Sequence, residues 1–230
     1  MRSLLFCLTV LVLTPPSLLA LNDSGAPLAA PGLRPPNTGI PWALDTHDRQ
    51  TELIPIHHAN ITVNRHTGKN IAGSLAGSLF YRPEMTTELE GEHARAQLHT
   101  TSPILYFHVD EDDDHADDQG SGDKQVMELV PAKVEKNRRV VDNIRFNQLT
   151  THGKHKVESI AVNIDKLPGG WFRLTPKSPL SEGEYVFLSQ PVRGEQFATT
   201  VYPFGIDSKA AESTEAVHPD AENANPSEPH

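Results

Sequence analysis

The richest run of ligand-type side chains in this chain is FHVDEDDDHADDQGSGDK, residues 107–124. Between Asp110 and Asp123 it carries eight carboxylates and His115, with His108 just ahead and no basic residue inside. Asp110, Asp112 and Asp114 have the i, i+2, i+4 spacing that sets oxygens around calcium in an EF-hand loop. The pattern then departs from that loop: His115 stands where its glycine is required, and Ser121 where its closing glutamate should be. His108 and His115 add nitrogen, which opens zinc, nickel or copper as alternatives to calcium or magnesium. Eight like charges repel, and Gly120-Ser121-Gly122 loosens the backbone. The first expectation is therefore a solvated, disordered loop joining two strands. The alternative is a weak calcium or zinc site at His108, Asp110, Asp112, Asp114 and His115; no other cofactor is expected.

The remaining reactive residue types form no convergent set. The 12 histidines include the adjacent His57-His58, which would face opposite sides of a strand, and His152 and His155 in the turn THGKH. None has the spacing of a closed metal site such as His-Glu-x-x-His. Ser74 and Ser78 repeat in IAGSLAGSLFY, each directly after a glycine, without the Gly-x-Ser-x-Gly elbow of hydrolases. Lys133, Lys136, Arg138, Arg139 and Arg145 are interrupted by Glu135 and Asp142. That mixture suits a charged edge strand better than a polyanion site.

These groups must be positioned by a domain that the chain's two ends leave well defined. Residues 1–20 read as an export signal: Arg2, an apolar run from Leu4 to Leu13, then small residues with a cut after Ala20. The run is about half the length that a membrane-spanning helix needs. The single cysteine, Cys7, lies within it, so the mature chain would have none. Disulfides, thiolate nucleophiles and cysteine-held metals are thereby excluded. Without Arg2 the chain has 19 basic and 30 acidic residues. The loop holds eight of those acids, and the tail 208–230 holds five together with Lys209. What is left is nearly neutral, at 18 basic and 17 acidic residues, which argues against nucleic acid as a partner.

Residues 21–45 contain five prolines and few large apolar groups, the composition of an extended linker, with Trp42 as its first docked residue. The tail 208–230 lacks aromatic residues and periodicity, which predicts disorder. Between them, residues 46–207 read as short strands at 52–56, 60–64, 74–81, 95–100, 104–109, 125–130, 139–146, 156–164, 171–175, 184–189 and 197–204. Turn signals such as Pro168-Gly169-Gly170 and Ser181-Glu182-Gly183 separate some of them. One short helix is expected over 88–97. The fold class predicted is all-β, an antiparallel β-sandwich, immunoglobulin-like or related, with disordered termini.

Two resemblances refine this expectation. Leu180, Gly183 and Tyr185 in PLSEGEYVFL resemble the tyrosine corner of immunoglobulin-like and fibronectin-type sandwiches. There a tyrosine near the start of the penultimate strand hydrogen-bonds back to the preceding connection. The end of the domain also resembles a group of uncharacterised exported bacterial proteins, through Pro176, Pro179, Leu180, Gly183, Glu184, Tyr185, Tyr202, Phe204, Gly205 and Asp207. That resemblance implies a fold and an exported location, and no activity.

The functional expectation is a non-enzymatic, secreted or periplasmic binding or accessory module. Its partner would be a protein or cell-surface ligand, with no nucleic acid and no transmembrane span after signal cleavage. The alternative is a weak divalent-metal-binding protein that uses the loop 108–123.

Overall fold

The computed structural model describes residues 25–66, 72, 84–109, 125–146, 153–155, 159–191 and 200–219. The export signal, the acidic loop 110–123 and the stretch 74–81 lie outside them.

The first hairpin sets the register of everything that follows. Strand β1 (Trp42–His47) turns through Asp48 and Arg49 into β2 (Gln50–Pro55). Both turn residues are left-handed, at φ 47° and 69°. A two-residue turn of that kind matches the right-handed twist of the strands it joins and leaves no slack in their pairing. His47 therefore faces Gln50, Asp45 faces Glu52, and Ala43 faces Ile54.

Two sheets form around this hairpin. The first adds β6 (Ile104–His108), β11 (Trp171–Pro176) and β10 (Val162–Lys166), in the order β10-β11-β6-β1-β2. The second contains β3 (Thr62–Asn64), β4 (Glu84–Glu90), β8 (Arg138–Phe146), β7 (Gln125–Val134), β12 (Gly183–Pro191), β13 (Thr200–Ile206) and β5 (Ala96–Leu98). Its order is β3-β4-β8-β7-β12-β13-β5, with β9 (Gly153–His155) paired to β8. Among the described pairings only β13 with β5 is parallel. The molecule is an antiparallel β-sandwich, as the strand pattern predicts.

Alternation along the strands explains the core. Ala43, Ile54, Leu105, Phe107 and Leu174 of the first sheet meet Leu129, Tyr185, Phe187, Phe204 and Ile206 of the second. The intervening residues Val130, Val186, Leu188 and Val201 point the other way and pack with Leu89 and Val141, from β4 and β8. Strand β12 is thus buried on both faces, which is why it reads as an unbroken apolar run rather than an alternating one. At its start the Tyr185 hydroxyl donates to the Ser181 carbonyl at 2.8 Å, tying the strand to the connection before it.

Four stretches differ from the expectation. Residues 88–97 are not helical: β4 runs to Glu90, Gly91 turns the chain at φ 79°, and β5 follows. The β-branched pair Thr86-Thr87 suits a pleated surface, and Gly91 would weaken any helix through this segment. The segment from Gly25 to β1, expected as a linker, lies on the outer face of the first sheet, where Ala26 and Leu33 pack with Trp42, Leu53, Tyr106 and Trp171. The tail as far as residue 219 is also docked, since Val217 and Leu53 exchange two backbone hydrogen bonds of 2.9 Å. Finally, the basic strand β8 is no edge: it lies between β4 and β7. Its Arg139 is buried against Glu184 at 3.3 Å and also donates to the Glu90 and Gly91 carbonyls.

Candidate functional site

The two sheets have edge strands that meet on one side, β2 from the first and β5 from the second. The backbone amide of Asp207, just beyond β13, donates to the Leu98 carbonyl at the end of β5. Residues 207–218 then continue as a strap towards β2. Between these pieces lies a group of ionisable side chains: Asp45, Glu52, His99, Glu212 and His218.

Its base is the facing pair Asp45 and Glu52, each only 1% exposed. Ala43 and Ile54 point into the core, so the residues two positions along, Asp45 and Glu52, point to the same side. Like charges directly opposite on adjacent strands repel. Asp45 is compensated: its carboxylate accepts the His99 amide at 2.8 and 3.0 Å, the Thr100 amide at 2.8 Å and His99 Nδ1 at 2.8 Å. Glu52 is not. Its Oε1 is buried without a hydrogen-bond partner, and Oε2 lies 3.9 Å from Nδ1 of His218. Burial, then the neighbouring Asp45, push the Glu52 carboxyl above its ordinary range.

His99 links the base to the strap. Its Nδ1 faces Asp45, and its Nε2 lies 3.1 Å from the Ala210 carbonyl. The Ala210 carbonyl can only accept, so Nε2 carries a proton, and with Asp45 as a carboxylate Nδ1 donates as well, the arrangement of an imidazolium. Burial alone would lower its pKa, but the bonds to Asp45 and Ala210 outweigh that and raise it. The ring of His47 stacks on it at 4.2 Å.

The strap brings two more groups. Antiparallel bridging of Val217 to Leu53 places His218 beside Glu52, and His218 Nε2 lies 3.3 Å from Glu212. Two sets of three therefore have ligand atoms within 4.8 Å of one another: Asp45, Glu52 and His99, and Glu52, Glu212 and His218. Glu52 belongs to both. Glu215 fastens the strap further, to His57 at 3.2 Å and Arg95 at 2.9 Å.

A second polar set sits on β4. Glu88 accepts from Thr86 at 2.6 Å, Asn64 at 3.2 Å and Arg138 at 2.9 Å, while His66 Nε2 meets the Thr86 hydroxyl at 2.8 Å.

Of the five residues expected to bind metal, Asp110, Asp112, Asp114 and His115 lie outside the described residues. His108 ends β6 with its ring against the edge of Trp171, at 5.1 Å. Gly170 packs beside it, where an added Cβ would fall 3.1 Å from its Nε2 and 2.5 Å from the Val109 carbonyl. Sequence reasoning missed the whole cluster. Asp45 lay in the supposed linker, and Glu212 and His218 in the supposed disordered tail. The one local signal was DTHDRQTE, in which a tight turn would put Asp45 opposite Glu52.

Among the described residues no helix is long and apolar enough to cross a membrane. Compared with family models, with curated proteins and with solved structures, the chain matches none.

Proposed function

We propose that this chain is an exported, non-catalytic β-sandwich module that works by binding a protein or cell-surface ligand. The observation that carries the reading is the state of the best-placed imidazole. A general base needs a lone pair aimed at the proton it removes. His99 has none, because both of its nitrogens donate, to Asp45 and to Ala210. The second set supports the same view. The Thr86 hydroxyl gives its proton to Glu88, so His66 must donate to that oxygen rather than accept from it. These hydrogen bonds hold elements together: β1 to the segment after β5, that segment to the strap, and β4 to the residues beyond β3. The export half of the proposal rests on the pattern of residues 1–20.

The test is a screen of the purified mature chain against ester, peptide, glycoside and phosphoester substrates, alongside His99→Gln and Thr86→Val. The expected outcome is no turnover that distinguishes the three proteins. Turnover that either substitution abolishes, with the β-rich circular dichroism spectrum intact, would overturn the reading.

A further inference from the structure

The geometry points to a divalent-cation site formed by Glu52 of β2 and by Glu212 and His218 of the strap, with the Asp45–His99 pair supporting it from behind. The ligand class is a borderline cation of the zinc type, taken by two carboxylate oxygens and one imidazole nitrogen.

Three independent features converge on this position. The register is fixed by backbone rather than by the charged groups themselves. Leu53 and Val217 exchange two hydrogen bonds of 2.9 Å, and the antiparallel pairing sets His218 against Glu52. Ala216 packs on the inter-sheet core and Val217 on the outer cluster, so the strap has strand-like alternation and His218 faces the same side as Glu52. Next, Glu52 is 1% exposed, and its Oε1 has no partner although the side chain is directed at this cluster. A buried carboxylate oxygen without a donor is costly and rare in a settled fold. Finally, the spacings suit a metal. Zinc bonds of about 2.0–2.2 Å to oxygen and nitrogen place tetrahedral ligands about 3.4 Å apart. Here one ligand atom from each residue lies within 4.8 Å of the others. Glu212 is 3.3 Å from Nε2 of His218 and Glu52 is 3.9 Å from its Nδ1, so the half-exposed imidazole must turn to offer one of these nitrogens to a shared ion.

The burial pattern suits a site that admits an ion. Glu52 is enclosed and held by the strand, whereas Glu212 and His218 are 53% and 45% exposed and can close by changing rotamer. Asp45 is already saturated by three N–H groups, so it serves as a fixed negative neighbour. A bound cation would neutralise the facing carboxylates and cross-link the strap to the edge strand of the first sheet.

The experiment is calorimetric titration of zinc into the mature chain, with thermal unfolding followed in parallel. Four variants accompany it: His218→Gln, Glu212→Gln, Glu52→Gln, and a loop variant with Asp110, Asp112 and Asp114 changed to Asn and His115 to Gln. The expected result is a saturable rise in unfolding temperature, kept by the loop variant. Each ligand variant should lose more than the roughly 10–100-fold in affinity that a merely supporting residue costs. Glu52→Gln gives a second signature. Removing one of two facing carboxylates should make the metal-free protein more stable while abolishing the zinc-dependent gain. Affinity unchanged in His218→Gln and Glu212→Gln, or lost only in the loop variant, overturns the site, as does no binding tighter than about 1 mM. The proposal is separable from the preceding one: zinc-dependent turnover would sink the non-catalytic reading and leave the site standing.

Discussion

The ring of His99 joins three separate pieces of chain: strand β1 through Asp45, its own segment after β5, and the strap through Ala210. Its pKa is raised in the folded state, so the imidazolium form is the one that the fold favours. The stability it contributes is fully present below its unfolded pKa of about 6.5 and is lost as pH rises through the higher folded value. Asp45, Glu52 and His47 face it, and Glu212 and His218 gather around Glu52, so the comparison must be made within one background. Urea unfolding at a series of pH values should show stability falling above about pH 6.5 in the parent protein, and a flatter profile in His99→Gln. Tyr185 gives a simpler test. Its hydroxyl makes one hydrogen bond, to Ser181, and Tyr185→Phe should lower stability by about 1 kcal/mol without changing the denaturant slope. The tyrosine was legible in the sequence because its motif is local. The role of His99 was not, since its partners lie 54 and 111 residues away along the chain.

At the level of elements, the strands that packed side chains on two faces were the easiest to read. The run EYVFLS became β12, and ILYFHV became β6, because each has an unbroken apolar and aromatic centre of four residues. Strand β1 was missed since WALDTH places a buried aspartate where an apolar residue is expected. The burial of that aspartate is supported by the His99 and Thr100 amides and the His99 ring, all from the segment after β5. Strand β8 was found but misplaced. Its arginines suggested an exposed edge, whereas Arg139 is enclosed with Glu184, the two side chains 5% and 4% exposed. Removing one partner of such a pair leaves the other charge buried, so Arg139→Met should cost about 3–5 kcal/mol. Adding Glu184→Gln to that variant should recover part of the loss, measured by equilibrium unfolding of the two proteins. An edge-strand arginine would show almost no effect.

For the molecule as a whole, the strap covers the free edge of β2, and truncation after Asp207 tests how much it matters. That change removes the Leu53–Val217 bridge, the Ala210 acceptor and the ties from Glu215. The shortened chain should unfold at lower temperature and self-associate through the uncovered edge, as light scattering would show. Expressed in a host with export machinery, the chain should begin at Leu21 by N-terminal sequencing if residues 1–20 act as the signal that their pattern suggests. By itself the sequence determined the features that depend on composition and local period: an all-β chain, its strand-rich middle, and the tyrosine whose hydroxyl bonds back to the turn before its strand. The acidic loop attracted attention for the same reason, since charge density is visible in one dimension. Tertiary structure alone decided where ionisable groups converge. Asp45, Glu52, His99 and His218 are unremarkable neighbours in sequence, and they meet only because a two-residue turn fixes one register and two sheet edges close beneath a returning strap. Pairing across a sheet depends on which strands become neighbours, and that choice is made by burial of the whole core rather than by any short stretch of residues.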